Sequence, residues 1–162
     1  MKVALARVDN RLVHGQILEA WLPYTKAACI AVVDDIAASD LFHTSVIRMA
    51  VPQDIDVIVS SVADFARMHS YEAGGQHASI VLFRNIATSF QAFNFGFRFT
   101  SLNIGNSYAE SCARQLAMSV RLSEEDIRHL EALLAAGVNI DLRRLPGEKP
   151  VDIRTLIDKH RA

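Results

Sequence analysis

Apolar, strand-like runs alternate with helical patterns along the whole chain, and this alternation most constrains its fold. The stretch "ACIAVVDD" (28–35) is apolar up to its two final aspartates, which is typical of a strand buried on both faces of a sheet. Strands that alternate with helices are usually joined as parallel neighbours. We therefore predict an α/β layered sandwich with a central, mostly parallel sheet of about seven strands, flanked by helices, with one strand antiparallel.

Hydrophobic periodicity places the individual elements. Strands are predicted at 2–8, 28–35, 55–61, 79–84, 99–105, 113–123 and 138–146, and helices at 15–23, 39–50, 61–70, 87–95, 123–137 and 151–160. Local signals bound several helices. Pro23 is expected to end the first helix, Ser39 to cap the second and Gly137 to end the fifth, and Ser-x-x-Asp patterns open two helices at Ser61–Asp64 and Ser123–Asp126.

Composition limits the class of protein. The 162 residues carry a net charge of −1 with no basic stripe, so no nucleic-acid partner is expected. Hydrophobic residues make up 51% of the chain, enough for the core of one domain over residues 1–162. The sequence shows no signal peptide and no apolar run of about 18 residues, so we expect a cytoplasmic protein. Cys29 and Cys112 lack metal-ligand spacing and are expected to be reduced thiols.

Polar residues follow several of the predicted strands directly. The loop "DNRLVH" (9–14) follows the first strand, and Asp34 and Asp35 follow the second. Ser60 and Ser61 follow the third, and "NIGNS" (103–107) ends the fifth. Ligands of parallel α/β sheets bind beyond the carboxyl ends of the strands, so these groups are expected at one edge of the sheet.

The first loop combines groups that suit phosphoryl transfer. Imidazole of His14 is a nucleophile or base near neutral pH, and the planar guanidinium of Arg11 matches phosphate oxygens. The helix that starts at Gly15 offers unpaired backbone N–H groups to an anion. Either Asp9 or Asp35 is a candidate to fix the tautomer of the His14 ring.

Each of these residues could also have a purely structural role. His14 could be a solvated or capping residue, and Arg11 could simply pair with Asp9 at the surface, where an ion pair is worth about 0–1 kcal/mol. Asp34 and Asp35 could form a metal site, although an acidic turn after a strand is commoner. The other five histidines show no metal-ligand spacing, so no metal and no other cofactor is predicted.

The stretch "RVDNRLVHGQI" (7–17) closely resembles the start of the IIB component of the mannose/fructose/sorbose family of bacterial phosphotransferase systems (PTS). The family pattern runs roughly R-[IV]-D-x-R-L-[IV]-H-G-Q-[IV]. Similarity continues through "VVDDIAASDLF", "RMAVP", "LNIGN" and "LSEEDIRHLEALLAAGVNIDLRRLP", so it covers most of the chain. The family fold, a mostly parallel sheet flanked by helices, agrees with the fold predicted above.

The resemblance implies a phosphohistidine carrier. A phosphorylated IIA protein would donate its phosphoryl group to His14, and IIB would pass it to a sugar carried by the membrane components IIC and IID. The family's phosphorylated histidine maps onto His14 and its phosphate-contacting arginine onto Arg11. We predict that phosphate is also bound or oriented by Asp9, Asn10, Gly15, Gln16, Asp35 and Ser61. The chain would work at the inner face of the membrane, with a separate IIA donor and a hexose or related sugar, and could form a homo-oligomer.

Two positions depart from the family pattern: Asn10, where an acidic residue is commoner, and Asn106, where a second glycine is common.

Other functions have less support in the sequence. Histidine phosphatases have contiguous Arg, His and Gly, whereas two residues separate Arg11 from His14, and nucleotide-binding glycine motifs are absent from the sequence. A IIB-like phosphorylatable regulator without a role in sugar transport remains the open alternative.

Overall fold

The computed structural model describes residues 1–69, 75–111 and 114–161, with backbone only for 158–161. Eight strands in this part of the chain form one sheet: β1 (Lys2–Asp9), β2 (Cys29–Val33), β3 (Asp56–Ser60), β4 (Ala78–Phe83), β5 (Ser101–Tyr108), β6 (Arg114–Ala117), β7 (Val120–Leu122) and β8 (Asn139–Asp141). Their order is β3-β2-β4-β1-β5-β7-β6, and β8 pairs with the beginning of β5. The strand pairs are parallel except β6 with β7, which confirms the predicted fold class.

Helices cover both faces of the sheet. A π-helical turn (Ile17–Trp21) runs into an α-helical turn (Leu22–Thr25), and together they form α1. The others are α2 (Asp35–Ser39), α3 (Leu41–Ala50), α4 (Val62–His69), α5 (Ile86–Asn94), α6 (Glu124–Ala135) and α7 (Ile153–Arg161). One apolar cluster packs α1, α2 and α3 against one face of the sheet, and a larger one packs α4 to α7 against the other. Burial of this apolar surface is what holds the layers together.

Two predicted helix boundaries were wrong. Pro23 does not end α1. It lies in the α-helical turn that follows the π-helical turn, and the helix continues to Lys26, whose φ is +52°. Ser39 does not cap the second helix. The stretch 39–50 is divided at Asp40, whose carboxylate accepts hydrogen bonds from the N–H groups of Phe42 and His43 and so starts α3.

The carboxyl-terminal part also differs from the prediction. Within the predicted strand 113–123, residues 114–122 form a hairpin of β6 and β7 instead of one strand, since Met118 and Ser119 make a turn that carries no glycine or proline signal. The last strand is only Asn139–Asp141, because the Asp141 carboxylate accepts the N–H groups of Arg143 and Val151 and turns the chain.

The other helix-end signals agree with the structure. Ser123 and Asp126 form the reciprocal capping box of α6, and Gly137 follows this helix with a φ of +88°. Asp64 N–H donates to Oγ of Ser61 at the start of α4. Cys29 is a buried free thiol, whereas Cys112 and the end of the predicted helix at Ser70 lie outside the described residues.

None of the helices in the described part of the chain is long and apolar enough to cross a membrane.

Candidate active site

The loop after β1 is held in one conformation by its backbone. The N–H of Leu12 donates to the C=O of Asp9 at 3.0 Å, which closes a tight turn over 9–12. Leu12 has a φ of +57°, a conformation that costs a side-chain-bearing residue about 1–2 kcal/mol. Its side chain is almost completely buried, and this packing offsets the strain. The C=O of His14 then accepts the N–H groups of Ile17 and Leu18, so His14 stands at the entrance to α1.

The carboxylate of Asp9 orients the ring of His14. Asp9 is the last residue of β1 and is fully buried. Its Oδ2 lies 3.0 Å from Nε2 of His14, whose side chain is 16% exposed. An ionised carboxylate can only accept hydrogen bonds, so Nε2 carries a proton and donates a hydrogen bond to Asp9. The ring is thereby fixed in the tautomer that leaves Nδ1 unprotonated.

Arg11 is bound to the same carboxylate. Its Nε donates to Oδ1 of Asp9 at 2.9 Å and its Nη2 to Oδ2 at 3.0 Å, the paired geometry that arginine makes with carboxylates. Nη2 also donates to Oε1 of Gln16 at 3.1 Å. Arg11 Nη2 and His14 Nε2 are each 3.0 Å from one oxygen, so they are separated by at most twice that distance. The Arg11 side chain is 43% exposed, so solvent and ligands reach it.

A second arginine, Arg7, is fully buried and donates a hydrogen bond to Asp9. Nη2 of Arg7 donates to Oδ2 of Asp9 at 3.0 Å, and Nη1 donates to Oδ1 of Asn103 and to the C=O of Arg143. The guanidinium also lies 5.4 Å from the ring centroid of Trp21, within range of a cation–π interaction. Arg7 thus connects Asp9 to β5 and to the segment that follows β8.

Gly105 provides the space that Arg7 occupies. A Cβ built at this position would overlap the guanidinium carbon and both terminal nitrogens of Arg7. The glycine in "LNIG" is therefore required for close approach of a side chain to the β5 backbone, and its φ is not positive.

Charge and burial oppose each other in this cluster. Burial of Asp9 acts to raise its pKa, but the hydrogen bonds from His14 and Arg11 and the charge of Arg7 outweigh it and hold the pKa well below its ordinary value. Burial is also the largest influence on Arg7 and lowers its pKa, against the attraction of Asp9. Asp9 is therefore an anion at neutral pH, and Arg7 keeps its charge because free guanidinium has so high a pKa.

The two positions that depart from the family pattern contact each other. Nδ2 of Asn106 donates to Oδ1 of Asn10 at 2.6 Å, and the N–H of Asn10 donates to the C=O of Asn106. This pair ties the tip of the His14 loop to β5. Gly15 is exposed beside the loop, with open space around its Cα.

Two of the predicted phosphate-binding residues lie elsewhere. Asp35 follows β2 and Ser61 follows β3, two and three strands from β1, which corresponds to roughly 10 and 14 Å across the sheet. Oδ1 of Asp35 accepts the N–H of Val62 at 2.8 Å, and Ser61 caps α4 with Asp64. The structure joins Asp35 and Ser61 to the start of α4, and Asp9, not Asp35, contacts the ring of His14.

Asp34 has a structural partner. Arg84 donates to both of its carboxylate oxygens, at 3.0 and 2.6 Å. The described residues contain no group of three or more His, Cys, Asp or Glu side chains arranged to hold a metal ion.

A family model described as the IIB component of the PTS sorbose subfamily matches residues 3–162. The chain belongs to this family. IIB components of the phosphotransferase system are phosphotransferases.

Known relatives of this IIB chain cover nearly its whole length. It is 33% identical to the fructose-specific EIIB component of Bacillus subtilis over 94% of this chain and 93% of that one. It is 28% identical to the mannose-specific EIIAB component of Escherichia coli over 98% of this chain, which is 50% of that protein. The crystal structure of the sorbose permease IIB domain of Klebsiella pneumoniae superposes with a TM-score of 0.88 at 28% identity, covering 98% of both chains.

Residue-level prediction missed the support of this IIB site. Arg7 was matched to the family pattern without a role. Asn103 and Gly105 were predicted at the same edge of the sheet, but without contacts to Arg7, and Arg143 was not assigned to the site. One signal was present in the sequence: Arg7 is a charged residue inside an otherwise apolar strand, and such a residue is buried only with partners. Nothing in the sequence indicated that Asn103 and Arg143 supply those partners, because they follow it by 96 and 136 positions.

Proposed function

We propose that this chain accepts a phosphoryl group on His14 from a phosphorylated IIA protein and passes it to a sugar during uptake through IIC and IID. The observation that carries the proposal is the 3.0 Å hydrogen bond between Nε2 of His14 and Oδ2 of the buried Asp9. This hydrogen bond orients the ring of His14 and places the proton on Nε2, which leaves Nδ1 as the nucleophilic atom.

Nδ1 of His14 is the atom that would attack. Nε2 is occupied by its proton and by Asp9, so the lone pair on Nδ1 is the one available to the phosphorus of the donor. The new Nδ1–P bond would form as the P–N bond of the donor phosphohistidine breaks, and the donor imidazole would recover its lone pair. The proton on Nε2 stays in place, and the anionic Asp9 stabilises the positive charge that the phosphorylated ring acquires.

Arg11 would hold the phosphoryl oxygens. It is exposed, permanently charged and bound to the same carboxylate oxygen as His14. Phosphoryl transfer depends mainly on positioning and on neutralising the charge of the equatorial oxygens. Each charge-assisted hydrogen bond contributes about 1.5–3 kcal/mol. Gln16 and the backbone N–H groups at Gly15 and Gln16 complete the proposed phosphate site.

Arg7 would act as a positioning residue. It is buried and does not reach solvent, but it keeps Asp9 ionised and aligned. Asn10 and Asn106 would set the position of the loop tip. In this proposal Arg7 positions Asp9, Asp9 orients His14, and Arg11 contacts the phosphoryl group.

The partners follow from the relatives. One of them is named a mannose-specific EIIAB component, and the others are named as fructose-, sorbose- or N-acetylgalactosamine-specific IIB components. We infer a IIA donor, a hexose or related sugar as the final acceptor, and a place of work at the cytoplasmic face of the membrane beside IIC and IID.

A labelling assay tests the first half of the proposal. The chain is incubated with labelled phosphoenolpyruvate, the general phosphotransferase proteins and a IIA protein of this family. The native chain and the His14→Ala variant are compared with His77→Ala, which removes an exposed histidine elsewhere. We expect acid-labile label on the native chain and on His77→Ala, and none on His14→Ala. Label that persists in His14→Ala would refute the assignment.

A second assay tests delivery to sugar. Labelled chain is added to membranes that contain the IIC and IID components, together with candidate hexoses. Transport predicts labelled sugar phosphate and loss of label from His14. Label that stays on the protein with every sugar would refute the transport role and favour the regulator that accepts phosphate without passing it on.

A further inference from the structure

Asp141, the last residue of β8, carries a carboxylate that accepts hydrogen bonds from four N–H donors. Its Oδ1 accepts the backbone N–H groups of Arg143 at 3.3 Å and Val151 at 3.1 Å, and these two bonds turn the chain. Its Oδ2 accepts hydrogen bonds from Nε of Arg143 at 2.7 Å and from Nδ2 of Asn103 at 3.1 Å. β8 and β5 are parallel, and their register places Asp141 beside Asn103. The contacts of Oδ2 therefore reach beyond the turn, into the centre of the sheet.

The amide of Asn103 connects Asp141 to the buried Arg7. Nδ2 of Asn103 faces the Asp141 carboxylate and also the C=O groups of Arg143 at 2.9 Å and Asp141 at 3.4 Å. These acceptors fix the orientation of the amide, so Oδ1 faces Arg7 and accepts a hydrogen bond from its Nη1. A flipped amide would turn its NH₂ group towards a guanidinium, which can only donate. Asp141 thus helps to present an acceptor to Arg7.

The second acceptor at Nη1 of Arg7 is also anchored to Asp141. Nη1 donates to the C=O of Arg143 at 3.2 Å. Arg143 is bound to the Asp141 carboxylate by its backbone N–H and by an ion pair from its Nε at 2.7 Å. Both acceptors of Nη1 are therefore held by one carboxylate, while Nη2 donates directly to Asp9 at 3.0 Å. The two terminal nitrogens of Arg7 are positioned by two different aspartates.

Asp141 also supplies negative charge near a buried cation. The side chain of Arg7 is completely buried, and burial lowers its pKa, whereas the charges of Asp9 and Asp141 act in the opposite direction. A buried guanidinium requires partners both for its charge and for its N–H groups. Without the Asp141 carboxylate, one side of Arg7 would lose its nearby charge and the groups that hold its acceptors in place.

We propose that Asp141 is a positioning residue of the site at His14 and acts through Arg7. The effect passes from Nη2 of Arg7 to Oδ2 of Asp9, which also accepts a hydrogen bond from Nε2 of His14 at 3.0 Å. Displacement of Arg7 would therefore shift the carboxylate that orients the ring. The consequence for phosphoryl transfer rests on the proposed function, whereas the consequence for the ring of His14 does not.

Asp141→Asn tests the proposal, because the amide cannot accept all four N–H groups. Two of them contact each carboxylate oxygen, so in either orientation of the new amide two would face its NH₂ group. Asp126→Asn is the matched control, since the Asp126 carboxylate is also partly buried but contacts Ser123 at the start of α6. Asp141→Ser is the second variant if Asp141→Asn fails to fold, because a serine hydroxyl can still accept an N–H two residues further on.

The first measurement is the state of the His14 ring in the unphosphorylated chain. Long-range ¹H–¹⁵N spectra of the ¹⁵N-histidine-labelled chain distinguish the two ring nitrogens, and His14→Ala identifies the signals of His14 by their absence. We expect a protonated Nε2 in the native chain and in Asp126→Asn. In Asp141→Asn the two nitrogen signals should move towards each other, as the two tautomers become mixed. Loss of global stability alone would not move these signals, because they come from the folded chain.

The second measurement is the rate of phosphoryl acceptance from a phosphorylated IIA protein, followed by rapid quench from limiting to saturating donor. We expect Asp141→Asn to lower the maximal rate by about 3- to 30-fold, the range for a residue that acts through a contact network. The donor concentration that gives half of the maximal rate should stay unchanged, because a positioning residue affects the transfer step and not donor binding. Asp126→Asn should match the native chain in both quantities.

Three results would overturn the proposal. The first is a native ring spectrum or a native maximal rate in Asp141→Asn, which would leave Asp141 with the turn as its only role. The second is an equal change in Asp126→Asn, which would attribute the effect to lost stability. The third is a higher half-saturating donor concentration at an unchanged maximal rate, which would place Asp141 in donor binding.

Failure of the proposed function would be distinguishable from failure of this inference. A native chain that takes no label on His14 would refute phosphoryl acceptance. The ring spectra of the unphosphorylated chain would still decide whether Asp141 orients His14 through Arg7.

Discussion

Nε2 of His14 lies 3.0 Å from Oδ2 of Asp9, at the end of the first strand of the sheet. The same oxygen accepts hydrogen bonds from Arg7 and Arg11. One buried carboxylate therefore connects the proposed nucleophile His14, the exposed Arg11 that is proposed to bind phosphate, and the buried Arg7. A change at any of these residues should therefore affect the others.

Asp9→Asn should destabilise the fold by about 3–5 kcal/mol, because it leaves the buried charge of Arg7 without its counter-ion. Urea unfolding followed by circular dichroism measures the change. Asp64→Asn is the control, since Asp64 pairs with Arg67 at the surface and such pairs contribute about 0–1 kcal/mol. Equal losses in the two variants would show that Arg7 does not depend on Asp9.

Gly105→Ala should displace the guanidinium of Arg7 and cost about 1–3 kcal/mol, as overpacking of a buried site does. Trp21, the one tryptophan in the sequence, lies 5.4 Å from that guanidinium, so its fluorescence emission should change as well. Gly147→Ala is the matched control, because a Cβ there meets no atom within 4 Å. Unchanged stability and emission in Gly105→Ala would contradict the close packing described above.

Acid should remove the contribution of Asp9 to stability. Its pKa is lower in the folded chain than in the unfolded chain, where it is about 3.9, so its contribution is complete above the unfolded pKa and falls as pH drops towards the folded pKa. The stability difference between the native chain and Asp9→Asn should be constant from about pH 7 to pH 5 and shrink below about pH 4. Urea titrations at several pH values measure it. A stability difference that grows on acidification would show that folding does not lower the pKa of Asp9.

Arg11→Lys should slow phosphoryl acceptance by about 10- to 100-fold, the equivalent of one lost charge-assisted hydrogen bond. Lysine keeps the charge but lacks the planar fork that contacts both oxygens of Asp9. Arg67→Lys is the control, as Arg67 forms its ion pair with Asp64 at the surface. Rapid-quench measurement of label transfer gives the rates. A rate for Arg11→Lys equal to that of Arg67→Lys would show that only charge matters at this position.

The sequence was sufficient for the layered sheet and for the order of its main elements, because apolar runs and capping residues are local signals. Boundaries failed where two local preferences competed. Proline usually ends a helix, but α1 continues past Pro23, and the stretch 39–50 contains two capping residues, of which Asp40 and not Ser39 starts the helix. The β6–β7 hairpin was missed because its turn carries none of the usual turn residues.

The candidate site was likewise predicted correctly only where its residues are close in the sequence. Asp9, Arg11, His14 and Gln16 are close in the sequence, and the structure brings them into contact. Asp35 and Ser61 follow other strands, and sharing an edge of the sheet did not bring them to β1. Long-range support from Asn103 and Arg143 depends on strand order and register, which local patterns do not encode.

The most direct test of the account is to locate the phosphoryl group on the ring of His14. The chain is labelled with ¹⁵N-histidine and phosphorylated through a IIA protein, and long-range ¹H–¹⁵N spectra then distinguish the two ring nitrogens. We predict phosphate on Nδ1, with Nε2 still protonated and bonded to Asp9. Phosphate on Nε2, or on a residue other than His14, would contradict the account.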